Sequence, residues 1–161
     1  MSSMADPLIA LLSLQQAVTA GDPLVNPQAI GEGYVMMYDE PNGGKRFSYA
    51  KIINREVQAL SIFGLVDPID GVPCFSVGYA VNENHRGHGL AVEAVNKGIK
   101  EMTTGFSRTR MRSFYVEAMI DETNIHSIKV SEKLFPGPGV RTNEHETGTP
   151  SLYFKKLIAI R

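Results

Sequence analysis

Residues 76–91 combine a predicted strand, a polar turn and the start of a predicted helix. Alternation over Ser76–Val81 predicts the strand, which runs into NENH and then into RGHGLA at 86–91. Amides in the first turn of a helix have no partner within the helix, and the helix dipole adds partial positive charge there. We therefore expect the backbone of residues 86–91 to favour a phosphate group.

Three side-chain features of this stretch bear on what it binds. Gly87 and Gly89 lack the side chains that would hold a pyrophosphate away from the backbone, and Arg86 adds a permanent cation. Simpler interpretations exist, because the glycines could merely satisfy a tight turn and Arg86 could be a solvated loop charge. Glycine-rich turns before helices also serve nucleotides, so this stretch alone does not define its ligand.

Two motifs in sequence order resemble the GNAT superfamily of acyl-CoA N-acyltransferases. Arg86, Gly89 and Ala91 match its signature of Arg or Gln, two residues, Gly, one residue, and Gly or Ala. The stretch Asn124–Phe135, NIHSIKVSEKLF, is similar to the N-x-x-S-x-x-x-x-E-K-L segment of one branch. That branch includes ribosomal-protein-alanine acetyltransferases and their small-amine relatives.

The resemblance implies acetyl-CoA as co-substrate and indicates which residues would bind it. Val81 would offer backbone groups to the pantetheine arm. Asn124 would bond the pantetheine or the region near the thioester, although asparagine is also a good helix cap. The pyrophosphate would be held by the amides of Arg86, Gly87, His88, Gly89, Leu90 and Ala91.

The residues that would move protons are less clear than those that would bind the co-substrate. Many members of the superfamily place a tyrosine seven residues after the asparagine to protonate the leaving thiolate, but this chain has Ser131 there. The remaining candidates are Tyr79, on a predicted strand over residues 72–81, and Glu117 on the neighbouring strand, acting directly or through water. The structural alternatives are Tyr79 packed against the sheet and Glu117 paired or in solvent.

The acceptor pocket of this fold is built from variable loops, which here are residues 22–32 and 136–150. Within the second loop, Glu144, His145 and Glu146 could attract a cationic amine or form an ordinary exposed loop.

The hydrophobic patterns predict one mixed α/β domain over residues 1–161. The helix after the glycine motif lies between two strands, so those strands should be parallel. In the terms of the GNAT fold this is an antiparallel meander followed by β-α-β and a C-terminal α-β-β. The predicted elements are a helix from Pro7 to Ala20, four strands between Gly33 and Val81, a helix from Leu90, a strand at Ser113–Ile120, a helix at Asn124–Phe135 and a strand at Leu152–Ile160. One of the turn clusters between the four strands is residues 67–71. The residues predicted to face inward are Leu90, Ala91, Ala94, Val95, Ile99 and Met102 on the helix from Leu90, and Ile125, Ile128 and Leu134 on the next helix.

Composition narrows the class of protein. Sixteen basic and seventeen acidic residues give a net charge of −1 without a basic block, which argues against nucleic acid as the main ligand. No apolar segment reaches the roughly 18 residues of a membrane span, and the N-terminus makes a poor signal peptide. A chain whose only cysteine is Cys74 suits a reducing compartment, so a cytoplasmic location is expected. The apolar neighbours of Cys74 in the sequence favour a buried, inert thiol over a nucleophile. The four histidines lack metal-site spacing, so no metal is expected.

These observations predict an N-acetyltransferase that moves an acetyl group from acetyl-CoA to a primary amine. Transfer should be direct, in a ternary complex, because the sequence shows no activated Cys or Ser. The alternative is a noncatalytic acyl-CoA-binding or interaction module on the same fold. The acceptor stays open between a protein N-terminus, a lysine and a small amine, and a homodimer is compatible with the sequence.

Overall fold

A computed structural model of the chain describes residues 6–160, which form a single sheet with helices on both of its faces. The helices are α1 (Pro7–Ala20), α2 (Leu90–Phe106) and α3 (Ile125–Leu134). The strands are β1 (Gln28–Gly31), β2 (Tyr34–Asp39), β3 (Arg46–Ile53), β4 (Glu56–Ile69), β5 (Val72–Val81), β6 (Ser113–Asp121), β7 (Val140–Asn143) and β8 (Pro150–Ala159). Their order is β1-β2-β3-β4-β5-β6-β8-β7, and only the β5–β6 pair is parallel among these described strands. The predicted mixed α/β fold and its parallel pair are confirmed.

The first helix begins and ends where its sequence predicts. The Asp6 carboxylate accepts a hydrogen bond from the Leu8 amide at 2.9 Å, and Pro7 occupies the first helical position. At the other end Gly21 adopts a left-handed conformation with φ 75°, which closes the helix.

The meander differs from its prediction in two places. Residues 28–31, predicted as loop, form the short edge strand β1, which pairs with β2. The turn cluster predicted at 67–71 is narrower, because β4 continues through Pro68 and only Asp70 and Gly71 take positive φ. Pro68 lies where the β4–β5 register shifts, between Val66 and Ile69, and such an irregularity tolerates a residue without an amide proton.

The two faces of the sheet carry different helices. One face, called the α2 face, packs against α2 and α3 and includes Val77 and Val116. The opposite face, called the α1 face, packs Leu11 of α1 against Leu60 and Ala80. Successive side chains of a strand alternate between faces, and this alternation decides which side chains can meet at a site.

The packing of helix α2 on the sheet requires a glycine at position 98. A Cβ atom added at Gly98 would lie 2.4 Å from the Phe63 ring and 2.8 Å from the Tyr49 ring. Of the residues predicted to face inward, Leu90 is half-buried and the other five are buried, namely Ala91, Ala94, Val95, Ile99 and Met102.

The inward face of α3 was predicted less well. Ile125, expected in the core, is 57% exposed because it is the first residue of the helix, whereas Val130 and Ser131 are buried. Within residues 6–160 no helix has the length and apolar character needed to cross a bilayer.

Candidate active site

Strands β5 and β6 separate part of the way along the sheet. They pair at Cys74↔Tyr115, Phe75↔Val116 and Ser76↔Glu117, but β5 continues to Val81 and β6 to Asp121. Strand β4 pairs with the other side of β5 up to Val81. Backbone groups of a strand point alternately to its two sides, so those of residues 77–81 that point away from β4 face a gap. A ligand in this gap can use donors and acceptors that the sheet leaves unpaired.

The chain leaves β5 through a turn with two left-handed glycines. A short 3-10 helix, Glu83–His85, is followed by Gly87 with φ 84° and Gly89 with φ 74°. A Cβ atom added to either glycine would meet no atom within 4 Å. Glycine is therefore needed for backbone conformation, and the space beside it is open for a ligand.

The N-terminus of α2 has no side-chain cap, unlike those of the other two α-helices in the described chain. Asp6 caps α1 and Asn124 caps α3, but Gly89 provides no side-chain acceptor to α2. The first-turn amides at Leu90 and Ala91 are thus the kind that bind an anion. The Ala91 side chain is buried, which fixes this turn against the core.

The side chains around the turn are tied to the end of the sheet. Arg86 is exposed, and its Nε donates to the Val81 carbonyl oxygen at 3.4 Å. His88 Nδ1 lies 3.2 Å from the carbonyl oxygen of His85, whose own Nε2 lies 2.6 Å from a Glu56 carboxylate oxygen. These contacts bring the Arg86 cation back toward the gap between β5 and β6.

Asn124 performs the structural role that its position predicted. Its Oδ1 accepts a hydrogen bond from the Ser127 amide at 3.2 Å and so caps α3. The helix-cap interpretation is confirmed, and the pantetheine-binding role stays a prediction.

Tyr79 lies on the α2 face, and its hydroxyl is fully engaged with α3. It donates to the Ser127 carbonyl oxygen at 2.8 Å, and the Ser131 Oγ lies 2.9 Å away. A carbonyl can only accept, so the single Tyr79 proton is used there and the Ser131 hydroxyl must be the donor to Tyr79. Burial raises the pKa of Tyr79, and Ser131 itself is completely buried. The hydroxyl therefore joins β5 to α3 at the position where many superfamily members carry a tyrosine.

Glu117 lies on the α1 face, at the last paired position before the strands separate. One of its carboxylate oxygens accepts from the Tyr153 hydroxyl at 2.8 Å and from the Cys74 thiol at 3.4 Å. Burial raises the pKa of Cys74 to about 12 and also raises the pKa of Tyr153, so both stay protonated donors near neutral pH. A carboxylate offers about four acceptor positions, so Glu117 keeps capacity for a further proton or ligand.

The side chains of the two predicted catalytic residues therefore do not meet in one site. Tyr79 and Glu117 lie beside the same gap but on opposite faces of the sheet. Sequence reasoning missed Tyr153, which orients Glu117. The only signal for it is alternation along β8, which places Tyr153 on the same face as Glu117 once the pairing of β6 with β8 is known.

The acidic cluster of the late loop is structural in part. The Glu144 carboxylate accepts from the Glu146 amide at 3.1 Å, from the Thr147 amide at 2.7 Å and from the Thr147 hydroxyl at 2.8 Å. It therefore closes the β7–β8 hairpin, whereas the side chains of His145 and Glu146 are exposed.

One protein family and several solved structures match this chain. The family model described as acetyltransferase (GNAT) domain matches residues 5–134. No curated protein matches the chain.

Three solved structures illustrate the likeness in fold. A GNAT-family acetyltransferase from Streptococcus pneumoniae superposes with a TM-score of 0.53 at 12% identity, over 71% of this chain and 67% of that one. Arabidopsis thaliana NAA60 in complex with acetyl-CoA gives 0.53 at 18% identity, over 73% and 78%. A ribosomal-protein-alanine N-acetyltransferase from Brucella melitensis gives 0.52 at 16% identity, over 73% and 70%. At these identities the likeness shows a common fold.

Proposed function

This chain belongs to the GNAT acetyltransferase family and is an acetyl-CoA-dependent N-acetyltransferase; we propose that it transfers the acetyl group directly to a primary amine, with Glu117 as the base. The observation that carries this proposal is the gap between β5 and β6, which opens at Glu117 and ends beside the uncapped N-terminus of α2. Backbone groups that β5 leaves unpaired thus run from Glu117, the proposed proton acceptor, to the N-terminus of α2, the proposed anion site.

In this proposal acetyl-CoA lies along the gap. Its pyrophosphate meets the amides of residues 86–91 and the Arg86 guanidinium, and its pantetheine arm follows the backbone at Val81. The Oδ1 of Asn124 is used by the helix cap, but its Nδ2 still carries two donors for the pantetheine or the region near the thioester.

The amine approaches from the α1 face, where Glu117 has free acceptor capacity. Glu117 removes a proton from the amine directly or through one water, and the nitrogen lone pair attacks the thioester carbon. Backbone amides of β5 that face the gap stabilise the tetrahedral oxyanion. The carbon–sulfur bond then breaks, and the CoA thiolate takes a proton from the active site or solvent.

Tyr79 and Cys74 have other roles in this scheme. The Tyr79 proton is committed to the Ser127 carbonyl, so we assign Tyr79 the positioning of α3 against β5. The Cys74 thiol stays protonated because burial raises its pKa to about 12, which argues against an acyl-cysteine intermediate.

The proposal also covers the domain organisation, the location and the partners of this protein. We propose one catalytic domain over residues 1–161 and a cytoplasmic location, supported by the free buried thiol of Cys74. The acceptor is a small molecule or a protein, and a homodimer stays a prediction. A noncatalytic acyl-CoA-binding module is the second candidate, favoured by Ser131 in place of the usual tyrosine.

One experiment separates these two candidates. Release of free CoA from acetyl-CoA would be followed with a mixed panel of protein N-terminal peptides, lysine peptides and small amines. The enzyme predicts amine-dependent CoA release, and both candidates predict that CoA raises the melting temperature. A melting shift without turnover on any amine would favour the module, whereas no shift at millimolar CoA would contradict both.

A further inference from the structure

A second concave site lies on the α2 face, at the far end of the sheet from the glycine turn. It is a groove of about 470 Å³ whose apolar lining includes Tyr38, Phe47, Leu65, Phe75, Phe106 and Met111. Phe75 precedes Val81 by six residues on β5, so the groove is about 20 Å from the turn at about 3.3 Å per residue. Its volume is within the roughly 300–1,000 Å³ of small-molecule sites.

The wall of this groove is built from rings that hold one another in place. Ring centroids are 5.0 Å apart for Tyr38 and Phe47, 6.0 Å for Phe47 and Phe106, and 5.7 Å for Phe75 and Phe106. Leu65, which pairs with Phe75 on the neighbouring strand and also lines the groove, is 40% exposed. A preformed aromatic wall next to an exposed aliphatic side chain favours an apolar chain or ring as ligand.

The charge at the rim indicates which kind of apolar ligand fits. Lys45 lines the groove, and its backbone carbonyl accepts a hydrogen bond from the Leu65 amide at 2.9 Å. This bond fixes the backbone of Lys45 beside Leu65. Its ammonium makes no ion pair or hydrogen bond with any residue in the range 6–160. The segment from Phe106 to Met111 adds Arg108 and Arg110 without an acidic residue, and both are exposed.

Neither of the two carboxylates that follow Tyr38 in the sequence lines the groove. Asp39 is paired with Arg46, and Glu40 accepts a hydrogen bond from the Tyr38 hydroxyl at 2.8 Å. The Tyr38 phenol is neutral, so Glu40 keeps its negative charge outside the lining, and within the described chain Lys45 is the only charged residue that lines the groove.

We infer that this groove binds a small amphipathic carboxylate. Its apolar chain or ring packs against the Phe47, Phe75 and Phe106 wall, and its carboxylate meets the Lys45 ammonium. A neutral apolar ligand leaves the cation unused, and a cationic ligand is repelled by it. The inference does not depend on acetyl transfer, because the groove shares no side chain with the proposed active site.

The test uses 1-anilinonaphthalene-8-sulfonate, an aromatic anion that fluoresces on binding, with the full chain and without CoA. The chain has no tryptophan, so the signal comes from the probe. Decanoate, decan-1-ol and decyltrimethylammonium are then compared as competitors below their micelle concentrations. Decanoate should displace the probe at about tenfold lower concentration than the alcohol, as expected for one charge-assisted contact, and the cation should be weakest.

Substitutions locate the binding. Lys45→Met should weaken decanoate about tenfold and leave the alcohol unchanged, and Lys45→Arg should restore decanoate binding. Leu65→Glu should weaken both ligands. Leu157→Glu is the matched control, because Leu157 is 52% exposed on β8 and does not line the groove. Acetyl transfer should be unchanged in Lys45→Met.

Four results would overturn the inference. Equal displacement by decanoate and the alcohol, or unchanged decanoate binding in Lys45→Met, would show that the cation plays no part. Stronger displacement by the cationic detergent would reverse the sign of the ligand. A concentration-dependent dimer in sedimentation, lost in Leu65→Glu, would show that the groove is an interface between copies of the chain.

Discussion

Tyr79 on the α2 face and Glu117 on the α1 face flank the same gap, but their hydrogen-bonding states differ. The Tyr79 hydroxyl donates its only proton to Ser127 and accepts from Ser131, so it has little capacity for chemistry. Glu117 is held by Tyr153 and Cys74 and still has acceptor positions free. An oxygen whose hydrogen bonds are all made internally stabilises the fold, whereas an oriented one with spare capacity can accept a proton from a substrate.

The sharpest test of this difference is Glu117→Gln. The amide keeps the shape and can still accept from Tyr153, but it cannot take a proton from the amine. We expect the turnover number to fall about 10²- to 10⁴-fold, the range of general base catalysis, with CoA affinity unchanged. Steady-state kinetics and calorimetric titration of CoA check this. A turnover number close to that of the parent would remove Glu117 as the base.

The proposed binding of the CoA pyrophosphate, at the other end of the gap, depends on Gly89. Gly89→Val would confuse two effects, because a β-branched residue is strained at φ 74° whatever the ligand does. Asparagine tolerates this conformation, and its side chain would enter the open space beside the turn. We expect Gly89→Asn to stay folded and to weaken CoA binding at least about tenfold, or 1.4 kcal/mol.

Gly21→Asn is the matched control for Gly89→Asn. Gly21 has φ 75° and open space around its Cβ position, but it lies at the end of α1. Calorimetric titration with CoA should show parental affinity for this control. If both asparagine variants bind CoA like the parent, the turn does not hold the pyrophosphate.

Tyr79→Phe should affect stability more than turnover. The change leaves the Ser127 carbonyl and the buried Ser131 hydroxyl without their partner, which costs about 1–3 kcal/mol of unfolding free energy in denaturant titration. Adding Ser131→Ala should recover part of this loss, because one unpaired group is then removed. Turnover should remain within about threefold of the parent, well below the 10²-fold that general acid catalysis contributes. A loss of 10² or more in stable protein would instead make Tyr79 the proton donor.

Cys74→Ala should have the smallest effect on activity, because direct transfer requires no thiol. Its effect on stability should depend on pH. Burial raises the thiol pKa from 9.0 to about 12 in the folded chain, so the stability from this group is complete below pH 9 and is lost as the pH rises toward 12. The parent should therefore lose unfolding free energy more steeply than Cys74→Ala over that interval. Equal slopes, or an acetylated Cys74 trapped by acid quench and seen by mass spectrometry, would contradict this.

Much of the fold, and the glycine turn of the candidate site, could be predicted from local sequence. The cap at Asp6, the hydrophobic face of α2 and the glycine turn are each determined by neighbouring residues, and all three are present. The errors fall at the weakest local signals, since β1 has only four residues and Ile125 is the first residue of α3.

What local sequence cannot determine is which distant side chains share a face. Tyr153 reaches Glu117 across 36 residues, and Ser131 reaches Tyr79 across 52, because strand register and helix packing bring them together. The gap between β5 and β6 likewise depends on where their pairing stops, which involves both strands and the helix between them. The amino-acid sequence by itself determined the glycine turn before α2, whereas the tertiary structure decided that Glu117 and not Tyr79 keeps the capacity to accept a proton. The reason is physical. Helix caps and turns form between residues that are close in the sequence, whereas the hydrogen bonds that use up the donor and acceptor positions of Tyr79 and Glu117 come from distant elements.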